Sequence, residues 1–181
     1  MKKILLFLAV IFSLYVNGQQ TTDNRQSLTS DIGIIPSPQD VSYLTTGYFA
    51  LDESCVLLDN ENEEISRIIN VFKNDIQEIT GLDLEISKKT SKKKYVTFEL
   101  IRPSSFLNYD SLTNIQILRI NQGYNIIIKD KFIHVSASTP QGLFYGAQSL
   151  KQLIRHQLLT ENNLNIPCYE IFDYPSLEYR G

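Results

Sequence analysis

Residues 123–154, GYNIIIKDKFIHVSASTPQGLFYGAQSLKQLI, constrain the fold more than any other stretch. Two β-rich runs meet at Lys129-Asp130-Lys131, the pattern of a hairpin. His134 alternates with Ile133 and Val135 and so faces the opposite side of its strand. Thr139 followed by Pro140 is an N-cap and first-turn pair. Beyond it Leu143, Ala147, Leu150 and Ile154 share one helical face, widened by Phe144 and Leu153. A sheet with a one-sided helix beside it has to bury both apolar surfaces together, which demands a layered architecture.

A second helix is expected over residues 62–80. Ile65, Ile68, Ile69, Phe72, Ile76 and Ile79 form one stripe. Asn62 or Asn60 caps its start, Glu63 and Glu64 suit its first turn, and Gly81 ends it. Pro36 and Pro38 keep residues 34–41 extended. Residues 47–58 read as two short strands bending at Asp52-Glu53, and residues 82–87 and 95–101 alternate as half-buried strands do. Residues 102–122 read as loop with one short strand-like run at 115–120, and residues 165–172 as a closing strand. No internal repeat is present. The order β-β-α-β-β-(β)-β-β-α-β predicts an α+β fold: a two-layer mixed sheet with two helices on one face.

The N-terminus reads differently. Met1, Lys2 and Lys3 precede an apolar stretch at residues 4–16, with small or β-branched Val16 and Gly18 where a signal peptidase cuts. Residues 1–18 are therefore expected to be a secretory signal of bacterial type, since a membrane anchor needs roughly 20 apolar residues. Removal of 18 of the 181 residues leaves 163, enough for one domain with a proper core. Residues 19–33 read as a flexible lead and residues 34–172 as the domain. The mature protein is expected outside the cytoplasm, periplasmic or secreted, with no membrane contact after cleavage.

The net charge of −3 is dispersed. The one basic cluster, residues 88–94, is broken by Thr and Ser and reads as a solvated loop, so nucleic acid is not an expected partner. Cys55 and Cys168 lie in apolar, strand-like contexts. Buried free thiols fit them better than the bridge that secretion would permit. Two lone cysteines, with His134 and His156 distant in sequence, make no metal site, and no cofactor is implied. His156 reads as a residue near a helix end, where it favours the dipole.

Three stretches in this order carry a resemblance: IIPSPQ at 34–39, the hairpin-helix run with its GLFYGAQSLKQL segment, and IPCYEIFDYPSLEYRG at 166–181. Together they resemble the N-terminal domain of bacterial β-N-acetylhexosaminidases, the family-20 glycoside hydrolases. The resemblance implies a small sheet-and-helix domain that packs on a catalytic (β/α)8 barrel, normally in the same chain. Residues 173–181 then read as the junction to a barrel that these 181 residues lack. The family has an Arg-Phe pair after the junction proline, where Ser176 and Leu177 stand here. The same junction also resembles family-84 β-N-acetylglucosaminidases, and a stand-alone carbohydrate-binding module is a further alternative. The absence of Trp disfavours that last reading.

The resemblance implies hydrolysis of terminal N-acetylhexosamine from glycans, with the substrate's acetamido oxygen as nucleophile and an adjacent Asp-Glu pair as orienter and acid. The chain has one Asp-Glu dipeptide, Asp52-Glu53, at a bend far ahead of any barrel. It reads as a solvated turn, so no catalytic residue is assigned and the isolated chain is expected to be inactive. Ser149 has no histidine partner in sequence, and Gly142 and Gly146 read as close helix-sheet packing rather than a phosphate loop. Tyr145 is given no catalytic role. Arg180 alone carries over, as the arginine that clamps adjacent sugar hydroxyls once a complete barrel surrounds it. The isolated domain is also expected to show an apolar surface meant for that barrel.

Overall fold

The structure, a computed structural model, describes residues 32–89, 94–101 and 114–175. Within them the chain runs β1 (Asp40–Ala50), β2 (Val56–Leu58), α1 (Glu63–Thr80), β3 (Glu85–Ser87), β4 (Tyr95–Leu100), α2 (Asn114–Gln122), β5 (Tyr124–Lys129), β6 (Phe132–Ala137), α3 (Pro140–Glu161) and β7 (Asn165–Asp173). The seven strands form one sheet in the order β1-β7-β5-β6-β4-β2-β3. The β1/β7, β7/β5 and β5/β6 pairs are antiparallel, while β6/β4, β4/β2 and β2/β3 are parallel. The expected α+β class and mixed sheet are what the structure has.

The helices start and stop where their caps dictate. Asn62 Oδ1 accepts from the backbone N–H groups of Glu64 (3.0 Å) and Ile65 (3.2 Å), and Gly81 closes α1 at φ 77°. Thr139 Oγ1 accepts from Gly142 N at 3.1 Å at the head of α3, and Asn162 ends that helix in the left-handed region at φ 52°. Ile65, Ile68, Ile69, Phe72 and Ile76 of α1 and Leu143, Ala147, Leu150, Leu153 and Ile154 of α3 are buried against one face of the sheet.

The register shows how each strand divides. Val41, Ile171, Ile126, Val135 and Phe98 lie side by side across β1, β7, β5, β6 and β4, and all belong to the core. The neighbouring row on the other face reads Asp40, Phe172, Asn125, Ser136 and Glu99. The next one reads Ser42, Glu170, Ile127, His134 and Thr97. His134 therefore faces away from Ile133 and Val135, as its alternation predicts, and its Nε2 lies 3.0 Å from Glu99 Oε2.

Three local expectations change. The run at 115–120, expected as a strand, belongs to the helix α2. Six residues with four apolar ones satisfy either period, and both neighbours of β4 in the sheet are already taken by β2 and β6, so no slot remains for another strand there. β1 is one long strand starting at Asp40, irregular between Tyr43 and Tyr48, rather than a short strand beginning at residue 47. α3 continues to Glu161, which leaves His156 more than a turn from the end, packed instead beside Gly33.

Gly142 and Gly146 do what close packing requires. A Cβ on Gly142 would meet Gly123 O at 2.5 Å, and one on Gly146 would meet Val135 Cγ1 at 2.7 Å. The glycines thus let α3 approach β5 and β6 more nearly than any side chain allows, at a cost in helix propensity of about 1 kcal/mol each.

Candidate functional site

The Asp52-Glu53 turn follows β1. Asp52 Oδ1 accepts from Ser54 N at 2.9 Å and from the Ser54 hydroxyl, and Oδ2 pairs with Lys94 Nζ at 3.0 Å. The Ser54 hydroxyl bond leads in holding the Asp52 carboxyl below its ordinary pKa, partly opposed by desolvation, with Lys94 lowering it further. This is a carboxylate locked into a turn, with Glu53 exposed beside it. Nothing here supplies a general acid.

Both cysteines are buried and free. Burial pushes the Cys55 thiol up, and its Sγ lies 3.5 Å from Asp52 N and from Ala50 O, so it is an inert structural thiol. Among the described residues no group of three or more His, Cys, Asp or Glu side chains could hold a metal, and no helix is long and apolar enough to cross a membrane. Tyr145 packs partly buried against the core and accepts from Gln141 Nε2 at 3.0 Å. Arg180, Ser176 and Leu177, like residues 1–18, lie outside the described residues.

The structure brings together a polar group that the sequence did not reveal. Tyr124 from β5 points its hydroxyl between α3 and β7, 2.6 Å from Ser149 Oγ and donating to Asp173 Oδ2 at 2.9 Å. Asp173 also accepts from Gln39 N at 3.3 Å. Ser149 and Asp173 are both buried, so the three side chains form a satisfied polar inlay inside an apolar layer. No histidine joins them. They tie the last residue of β7 to the middle of α3 and to the start of β1, which fixes the exit of the domain.

Two depressions formed by the described residues bear on recognition. One, of about 410 Å³, lies beside α3 between Gly33, Ile35, Gln152, Arg155, His156 and Leu159. Ile35 N donates to Gln152 Oε1 at 2.7 Å there, while the Ile35 and Leu159 side chains are 80% and 73% exposed. Val71 on α1 and Phe144 on α3 are also exposed, single apolar residues among exposed polar ones such as Glu64, Arg67, Gln77 and Arg155. The other depression, of about 240 Å³, is lined by Asp40, Ser42, Asn125, Glu170 and Phe172 on the open face of the sheet.

Comparison with known proteins places this architecture. Residues 31–174 match the sequence profile "Glycosyl hydrolase family 20, domain 2". Beta-hexosaminidase subunit A2 of Dictyostelium discoideum is 28% identical over 64 residues, covering 35% of this chain and 12% of that protein. The family-20 β-N-acetylhexosaminidase of Streptomyces coelicolor A3(2) superposes with a TM-score of 0.63 at 17% identity, over 83% of this chain and 28% of that one. CpGH84D superposes with a TM-score of 0.60 at 20% identity, over 82% of this chain and 24% of that one. The chain thus spans less than a third of the length of each, and shape alone does not separate the two hydrolase families. The profile match does, since it covers most of the sequence and is specific: the chain belongs to glycosyl hydrolase family 20, as its domain 2.

Proposed function

We propose that this chain serves a secreted β-N-acetylhexosaminidase as its non-catalytic accessory domain. The observation that carries this reading is the profile match over residues 31–174, which coincides with the sheet-and-helix unit and contains no catalytic Asp-Glu pair. The enzyme would remove terminal N-acetylhexosamine from glycans by substrate-assisted, retaining hydrolysis, with its acid and its orienting carboxylate on a (β/α)8 barrel. The exposed apolar side chains of Ile35 and Leu159 beside α3 offer that barrel a packing contact. The Ser149–Tyr124–Asp173 inlay supports the role by holding the segment that leads on to Arg180.

Arg180 would then enter the barrel as a bidentate clamp on neighbouring hydroxyls of the terminal sugar. Residues 1–18 would direct export and be removed near Gly18, leaving the protein periplasmic or extracellular, without membrane or nucleic-acid contacts. The test is release of nitrophenol from a nitrophenyl N-acetylglucosaminide. The chain alone gives none, and joined in frame to a family-20 barrel it gives turnover that Arg180→Ala lowers. Turnover by the chain alone that co-purifies with it and survives Asp52→Asn/Glu53→Gln would overturn the reading.

A further inference from the structure

The depression on the open face of the sheet is built from acceptors. Asp40 and Ser42 come from β1, Glu170 and Phe172 from β7 and Asn125 from β5. The register explains why they meet. Asp40 pairs with Phe172 and Ser42 with Glu170, so the two carboxylates are diagonal neighbours on one face, a separation of about 7–8 Å between backbones. Asn125 stands opposite Phe172 on the other side of β7. No basic side chain lines the pocket. Arg119, which reaches this end of β7, is stacked over the Tyr174 ring at 4.0 Å.

A further group points to a missing donor. Asn125 Oδ1 is buried and has no hydrogen-bond partner among the described residues. Ser42, only 4% exposed, lines the same pocket. A buried amide oxygen left unmatched, beside two like charges, destabilises the fold unless something brings a donor and positive charge to it. Phe172, 44% exposed, forms an apolar wall of the same pocket. A hard metal ion gains nothing from a phenyl ring, whereas an organic ammonium gains a cation–π contact as well as the carboxylates.

We propose that this pocket binds the protonated amino group of a non-acetylated glucosamine unit, with Asp40 and Glu170 neutralising the ammonium, Asn125 Oδ1 and Ser42 Oγ accepting its hydrogens and Phe172 lining the sugar ring. The choice of an amino sugar over another amine rests on the hexosaminidase reading, because glycans of N-acetylglucosamine are the polymers in which de-acetylated units occur. The pocket would hold partly de-acetylated chains on the accessory domain, away from the residues that cleave them.

The experiment is a titration of the full, isotopically labelled chain with a glucosamine disaccharide, followed through the backbone amide signals of Ser42, Asn125 and Glu170. The amino disaccharide moves those signals, and its N-acetylated counterpart does not. Glu170→Gln weakens binding about tenfold or more, and Phe172→Ala weakens it about two- to fivefold. The exposed Asp40→Asn variant repeats the carboxylate test should Glu170→Gln fail to fold. Three results would overturn the inference: no shift with the amino sugar, shifts of the same amides by calcium chloride at lower concentration, or equal affinity for Nα-acetyl-lysine amide. None of them bears on nitrophenol release, so a failure of this inference and a failure of the proposed function are told apart.

Discussion

The two faces of the sheet are made by the same strands yet follow different rules. On the face under α1 and α3, the row Val41, Ile171, Ile126, Val135 and Phe98 is apolar from end to end, and Phe72 of α1 meets Phe98 edge-on at 5.3 Å. On the open face the corresponding row begins with Asp40 and ends with Glu99. Its aromatic pair, Tyr95 with Phe132, stacks at 5.8 Å with Lys129 Nζ 5.6 Å from the Phe132 ring. The covered face stabilises by burial. The open face carries charge, amides and half-exposed rings, which contribute little to stability and are free to serve recognition.

The sharpest way to break that contrast is to truncate one ring on each face. Phe72→Ala removes a fully buried ring and leaves a cavity against Phe98, an expected loss of about 3–5 kcal/mol. Phe132→Ala removes a part-exposed ring, and an aromatic pair adds about 0.5–1.5 kcal/mol beyond its burial. Urea midpoints at unchanged slope measure both. Equal losses would mean that the open face is packed by something the described residues lack.

How much of this was legible in the sequence follows from the range of each signal. The α1 stripe, its Asn62 cap and Gly81 stop are decided within a few turns of one helix, and they stand where the periodicity puts them. Gly142 and Gly146 were legible as close packing because a glycine pair on an apolar helix face has few other uses. The 115–120 run was misread because a six-residue window fits both periods and only the finished sheet order excludes a strand. The site features were the least legible. Tyr124 meets Ser149 across 25 residues and Asp173 across 49, and the open-face pocket draws on residues 40, 42, 125, 170 and 172. Those meetings are set by the pairing of β1, β7 and β5, which no local period encodes.

A second variant probes a buried polar feature of the covered face. Tyr124→Phe keeps the ring and removes the hydroxyl that joins Ser149 to Asp173, leaving a buried carboxylate short of a donor. The expected cost is about 1–3 kcal/mol. The double variant Tyr124→Phe/Asp173→Asn should cost less than the sum of its parts, because both changes break one network. Full additivity would show the three groups acting independently, and the covered face would then differ from the open one by apolar burial alone.

The smallest effect belongs to a charge on neither face. Asp52, at the turn between β1 and β2, is held below the ordinary carboxylate pKa of 3.8 by the Ser54 hydroxyl bond and, further, by Lys94. A carboxylate whose folded pKa is depressed adds stability above its unfolded pKa and loses it as pH falls through the folded one. The side chain is about half exposed, so solvent screening limits the contribution to under about 1 kcal/mol. Asp52→Asn should therefore be slightly less stable than the parent at pH 5–7, and the gap should close on titration below pH 3.8, as thermal midpoints across that range will show. A gap that persists or widens in acid would place the value of Asp52 in the shape of its turn rather than in its charge, since the Asn side chain can still accept from Ser54 but cannot pair with Lys94.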